Sequence, residues 1–428
     1  MNVLRAHRDF RRLWVAGFIS DTGDWMLLVA LPVLVYQATG STLGTAFAFL
    51  IELIPVLAVT PFAGRLAERR NRPALLVAVS LIQAAFLLPL LAGAHLPILY
   101  GVIATQAALA CVFDTTKNAL LPTLVPARDL LTANSLIGLN QNLGRLLGAS
   151  LGGLALAGGG VWTIVVGDAA SFLLCAALVR NPHPAPPGTP RSEPGASEPG
   201  PSEQGTATAR VRTAELLARR PIRAGLAVLA LTAVAQGLFI VLFVVFVART
   251  LHGTAAENGV LRGVQAIGAV TGGLLLARSG GTRPARLTGW SCLLFGVIAL
   301  TVWNLPHATS WEPVYVALFI AIGVPSVGMV SGLTSALQLA TAEGERGPLF
   351  ALVGAVFSAG QAAGMITAGL LGERIAIGWL LDAQGVLSLL GGAVALRWLS
   401  DSAPDPAPRD RRAGLKSGAL SRRTRSTG

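Results

Sequence analysis

The stretch FISDTGDWMLLVALPVLVY, Phe18 to Tyr36, decides the fold. It is almost wholly apolar, yet it holds two carboxylates, Asp21 and Asp24, three residues apart. A helix rises about 1.5 Å per residue, so about 20 residues cross the roughly 30 Å hydrocarbon core of a bilayer. This stretch has that length. Outward from it the pattern repeats along the chain, with charged residues gathered between long apolar runs. Of 428 residues, 53% are hydrophobic and 13% charged, about half the charge of a soluble domain. The short alternating strands of a membrane barrel are missing. The expected fold is an all-α polytopic membrane protein.

Twelve spans are predicted, in two sets of six. The first set is 13–37, 43–64, 73–94, 97–121, 134–157 and 161–180; the second is 223–248, 258–278, 284–304, 312–338, 348–371 and 377–399. Residues 1–180 and 223–399 thus form two six-helix halves. Residues 181–222, rich in Pro, Gly, Ser and Glu, read as a disordered linker with a short surface helix near its end. Residues 400–428 read as a basic tail suited to anionic headgroups. The net charge of +12 fits the excess of Lys and Arg on the cytoplasmic side of membrane proteins, so no nucleic-acid partner is implied. Loops on the side of the N-terminus hold most arginines, whereas the opposite loops hold only Arg249 and Arg374. Both termini and the linker are expected in the cytoplasm, with the chain multi-pass in the cell membrane. The N-terminus, MNVLRAHRDFRRLW, leads straight into span 1, which reads as retained rather than cleaved. Cys111, Cys175 and Cys292 lie in spans without metal or disulfide spacing and read as core residues. No metal or cofactor is implied.

The halves echo each other. Adding 216 to Gly138, Gly144, Gly148 and Gly153 of span 5 gives Gly354, Gly360, Gly364 and Gly369 of span 11. The loop RRNRPA after span 2 resembles GGTRPA after span 8. Duplicated six-span halves around a central cavity are a transporter plan.

Specific segments carry a family resemblance. GRLAERRNRPALL, Gly64 to Leu76, resembles the signature between spans 2 and 3 of the major facilitator superfamily, with Glu68 where Asp is usual. Span 5 resembles the antiporter motif of exporters in that superfamily, Gly-x-x-x-Gly-Pro-x-x-Gly-Gly; it holds Gly144, Gly148, Gly152 and Gly153, with Ala149 in place of the proline. The opening FRRLWVAGFISDTGDWMLLVALPVLVYQATGS and the segment FDTTKNALLPTLVPARDLLTANSL resemble the siderophore and macrolide exporters. The resemblance implies two pseudo-symmetric halves and export by alternating access. It also implies a cytoplasmic gate loop at Gly64, Glu68, Arg69 and Arg72, gripping span 11 or the interface of the halves. One departure concerns span 4, which has Gln106 and no mid-span Arg.

Charges inside spans face a cavity or a partner. Helical rise puts Asp24, Arg145 and Glu52 at one depth, near the midplane. Asp21 and Asp24 share a helix face. A charged layer of Asp24, Arg145 and Glu52 is expected, with Asp21 nearer the inner gate. Proton uptake and release by Asp24 would follow its changing surroundings; the plainer reading is a permanent Asp24–Arg145 pair that fixes packing. Asp114 and Lys117 can pair, and Lys117 can also snorkel to the interface. Asp168, Arg262 and Asp382 read as nearer the outer ends, in structural or gate roles. Gln141 and Gln361 are candidate pathway residues; Trp25, Phe239, Phe243 and Phe246 are candidates to stack on substrate. Gly144, Gly148 and Gly152 form an i, i+4, i+8 stripe that lets helices approach closely; with Gly153 they read as a dry seam on which the halves rock.

The pentapeptide GASLG matches a nucleophile elbow, but it lies inside a span and no histidine is mid-span, so catalysis is not expected. Lys117 and Lys416 are the only lysines, and neither follows a phosphate loop. Energy must come from an ion gradient, or transport is passive. The reading is a monomeric, proton-coupled exporter of an amphipathic small molecule: drug, macrolide or siderophore-like. The alternatives are an importer or lipid flippase on the same scaffold, and a non-transporting membrane scaffold or receptor.

Overall fold

The computed structural model describes residues 2–69, 71–126, 129–180, 216–278, 283–341 and 345–399. Most of the linker and the whole tail lie outside them. After a short turn at Asn2–Ala6, the helices are α1 (Arg8–Thr39), α2 (Thr42–Arg69), α3 (Arg72–Leu87, extended by a 3-10 turn Leu88–Ala92) and α4 (Leu96–Leu124). Leu130–Val179 is one helical run broken at Gly160, where φ 64° and ψ −157° suit glycine alone. The break divides it into α5 (130–159) and α6 (161–179). The C-terminal half holds α7 (Arg220–Val245), α8 (Ala255–Arg278), α9 (Pro284–Asn304), α10 (Glu312–Leu339), α11 (Arg346–Leu371) and α12 (Ile377–Trp398). Eleven of the described helices are long and apolar enough to cross a membrane. The run holding α5 and α6 crosses twice, so the expected twelve spans stand.

Two boundaries differ from expectation. α2 continues to Arg69, so Gly64, Glu68 and Arg69 are helical rather than in a loop. α7 begins at Arg220, and Leu216 before it is fully buried against the C-terminal half. The expected surface helix is therefore described only in its last residues.

Helix ends follow local chemistry. Gly40, at φ 61°, ends α1 and returns its N–H to the Tyr36 carbonyl at 2.7 Å. The Asn71 side chain accepts from the Ala74 N–H at the start of α3.

The halves touch along two glycine seams. At one, Gly153 of α5 meets Gly259 of α8, where a Cβ would come within 2.9 Å of the opposing Cα. At the other, Gly369 of α11 meets Leu43 and Ala46 of α2. A shift of 216 carries Gly153 onto Gly369 and Leu43 onto Gly259, so each seam is the image of the other with the halves exchanged. Both lie toward the end of the bundle opposite the termini.

That same end is tied by polar contacts. A π-helical turn, Phe246–Thr250, closes α7 and presents Arg249. Its Nε donates to the Tyr36 hydroxyl (2.5 Å), and its Nη2 donates to the Gly40 carbonyl (2.7 Å). Glu373, after α11, accepts from the Ser41 hydroxyl and from the Leu43 N–H (3.5 Å). These two bonds hold the Glu373 carboxyl below its usual range. The contribution is full above that range and is lost as pH falls through the lowered value, so the tie weakens only in acid. Arg249→Gln is expected to loosen this end. A Leu31→Cys reporter in a background without the native cysteines should then react several-fold faster with an impermeant maleimide added from that side.

Candidate functional site

The two halves are packed differently. In the C-terminal half Phe239, Phe243, Phe246, Trp303, Tyr315 and Phe319 fill the interior with mutual ring contacts. Phe239, Phe243 and Phe246 are therefore core residues, not the expected substrate platform. The N-terminal half instead holds a cavity of about 480 Å³. Its wall includes Asp21, Asp24, Trp25, Glu52, Gln106, Asp114, Gln141, Asn142 and Arg145, with Leu28, Leu31, Ile103 and Ala107 among the apolar remainder.

α1 supplies the centre of this wall because α5 lets it come close. A Cβ at Gly144 would lie 2.8 Å from the Asp21 Cβ, and one at Gly148 would lie 2.7 Å from the Trp25 Cβ. One at Gly152 would lie 2.7 Å from the Met26 carbonyl oxygen. The stripe thus packs within the N-terminal half. It is Gly153, not the stripe, that reaches the other half, so the expected rocking seam narrows to Gly153 and its partners.

The expected charged layer is present in the cavity, but its pairing differs. Arg145 makes no ion pair with Asp24. Its guanidinium lies 5.9 Å from the Trp25 ring centroid and donates to Asn142 Oδ1 (3.2 Å). The Arg145 side chain follows the Trp25 ring rather than the Asp24 carboxyl. Lys117 does not snorkel: its side chain is 3% exposed and lies 2.7 Å from Asp114 and 3.5 Å from Asp21. Asp21 therefore belongs to a Lys117 cluster joining α1 to α4. Arg262 is buried, with Glu52 and Arg145 as its charged neighbours. Asp24 has Asp168, Asp114 and Asp21 around it, and Lys117 as its cationic neighbour.

Asp168 keeps the expected position toward the outer end of its span. It is fully buried, about 12 Å along α6 from the Gly160 break, and its carboxyl lies over the Cα of Gly23. Asp382 stays in a structural role, accepting from Asn304 (2.7 Å). Gln141 lines the cavity, whereas Gln361 lies outside that wall, its carbonyl against Gly237 in the α7–α11 contact. In the gate segment, Arg72 donates to the Ala67 carbonyl (3.2 Å) and to the Ala119 carbonyl of α4 (2.8 Å). It braces α2, α3 and α4 rather than gripping α11. A Cβ at Gly64 would meet nothing within 4 Å. The side chains of Glu68 and Arg69 lie outside the described residues.

Sequence comparison places this architecture. The family described as Major Facilitator Superfamily matches residues 13–342 and again 225–426. The chain belongs to the major facilitator superfamily. Within the superfamily, it is 28% identical over 319 residues to an enterobactin exporter, EntS, of Citrobacter koseri, covering 71% of this chain and 73% of that one. It is 24% identical over 178 residues to the MFS-type transporter YfiS of Bacillus subtilis. That match covers 41% of this chain and 43% of the relative, so the chain spans under half of that protein's length. Among solved structures, a bacterial homologue of the iron transporter ferroportin in its inward-facing state superposes with TM-score 0.70 at 18% identity, over 92% of this chain and 99% of the other. The outward-facing state of that homologue scores 0.56. These are major facilitator folds, and this chain shares their architecture.

Proposed function

We propose that this superfamily member is a proton-coupled exporter of amphipathic cations. It works as a monomer in the cell membrane with both termini in the cytoplasm. One observation carries the reading: among the described residues Asp21, Asp24, Glu52 and Asp114 face the cavity, against Arg145 as the single cation on its wall. Leu, Ile and Ala side chains supply the apolar remainder, and such a mixed wall suits a molecule with an apolar body and one charged head. The halves are joined by seams and hydrogen bonds at the end opposite the termini, so loading is from the terminus side. Asp24 is the coupling acid in this reading. It binds the substrate cation or a proton, and the exchange of one for the other drives export.

The EntS relatives favour a second reading, an enterobactin-like siderophore cargo. Arg145 stacked on Trp25 is then its receptor. Uptake into inside-out vesicles separates the two readings. Energised vesicles should accumulate ethidium, a lipophilic cation, several-fold over vesicles lacking the protein, and a protonophore should abolish the difference. Accumulation of enterobactin instead, with ethidium ignored, would establish the second reading. Accumulation of both that survives the protonophore would remove proton coupling.

A further inference from the structure

We propose that Asp168 is the second carboxyl of the proton site and holds a proton as a neutral acid beside Asp24; this deepens the reading of Asp24 as the coupling residue. The argument starts from hydrogen count. Asp168 is 0% exposed. Its Oδ2 has no hydrogen-bond partner, and its Oδ1 lies 3.0 Å from the Ser171 hydroxyl. That hydroxyl also lies 2.8 Å from the Asp168 main-chain carbonyl. A serine hydroxyl has one hydrogen, and sharing it between both oxygens leaves each bond weak. If its hydrogen goes to the carbonyl, the second contact needs a hydrogen from the carboxyl. A carboxylic acid donating to Ser171 Oγ satisfies both contacts. A carboxylate would leave a buried charge with at most one shared donor, a costly arrangement.

The charges around it point the same way. On α1, a Cβ at Gly23 would strike the Asp168 carboxyl, so the two helices touch there, one residue from Asp24. On α3, Ser80 donates to Cys175 of α6 (3.7 Å) and brings no charge. Beyond Asp24 stand Asp21, Asp114 and Lys117, and Lys117 already lies against Asp114 and Asp21. Arg145 and Arg262 stand with Glu52. Among the described residues no cation pairs with Asp24 or Asp168. A fully buried carboxyl next to a second carboxyl at the cavity wall, with no cation paired to either, favours one proton held between them. Asp24 reaches the cavity and Asp168 does not, so Asp168 keeps that proton while Asp24 exchanges with the cavity.

Infrared spectroscopy of the purified full-length protein in lipid tests this without any substrate, so failure of the transport reading would leave it untouched. At neutral pH the protonated-carboxyl stretch should lose one component in Asp168→Asn, whose amide can still donate to Ser171. In Asp24→Asn the remaining component should titrate at lower pH by about one unit or more, because a like charge has been removed. Ser171→Ala should shift its frequency and supplies the assignment if Asp168→Asn does not fold. A protonated band unchanged by both Asp168→Asn and Ser171→Ala would overturn the proposal. So would an Asp168 titration that ignores Asp24→Asn.

Discussion

Asp24→Asn is expected to lower proton-driven efflux of a lipophilic cation by at least about tenfold while leaving the protein folded, since a charge pair near 4 Å contributes up to about 4 kcal/mol at an effective dielectric of 20. The side chain makes no ion pair among the described residues, and its charged neighbours are mostly acids. Removing its charge therefore strands no buried cation, and the change is nearly isosteric. What disappears is a negative site on the cavity wall that a proton and a substrate cation both need. Counterflow of ethidium driven by its own gradient should fall less than proton-driven uptake, because the alternating motion remains.

The same wall supplies the contrast. Asp114→Asn should cost under about fivefold, because its side chain is 54% exposed and Asp21 remains as a partner for the buried Lys117. Measurement of uptake in inside-out vesicles at matched expression decides between them. If Asp24→Asn transports as wild type, the coupling acid lies elsewhere on the wall, and Glu52 beside Arg262 becomes the next residue to replace.

Hydropathy made the fold legible because a span is a one-dimensional signal. Length, loop charge and the 216-residue echo were enough to place twelve crossings. Depth was equally readable: Asp24, Glu52 and Arg145 do line one cavity. Azimuth was not. Which side chains meet across helices depends on how close the helices come, and that is set by glycines on a partner helix. Gly144, Gly148 and Gly152 bring α5 onto Asp21, Thr22, Trp25 and Met26. Arg145 thereby reaches the Trp25 ring, while Asp21 is left to Lys117 of α4. The contact of Asp168 with α1 was hidden for a related reason. Gly23 gave no sign on its own that a carboxyl from α6 lies over it. The Arg249 contacts with Tyr36 and Gly40 join residues more than two hundred positions apart, and no local pattern announces such a pair.

Gly148→Val is expected to have the largest structural effect, destabilising the N-terminal half by about 3 kcal/mol or more, at the upper end of what overpacking costs. Most glycine substitutions in a helix are mild, and Ala is even favoured over Gly there. At Gly148 the added atoms would meet main chain as well as side chain: the Thr22 carbonyl oxygen, its carbon at 3.0 Å and the Trp25 Cβ at 2.7 Å. Backbone cannot rotate away, so α1 would have to move bodily. Its neighbour α6 limits that movement, because Gly23 on α1 already lies under the Asp168 carboxyl and Ser171. α1 is held between two close helices, and thickening either contact displaces Asp24 and Trp25 from the cavity wall. Thermal unfolding in detergent, followed by size-exclusion chromatography, should show a midpoint many degrees lower or no folded peak. Gly138→Ala and Gly158→Ala, where a Cβ meets nothing within 4 Å, should unfold at or above the wild-type temperature. Equal stability of Gly148→Val and these controls would mean that α1 and α5 do not approach as closely as the glycine stripe requires, and the cavity built on that approach would have to be redrawn.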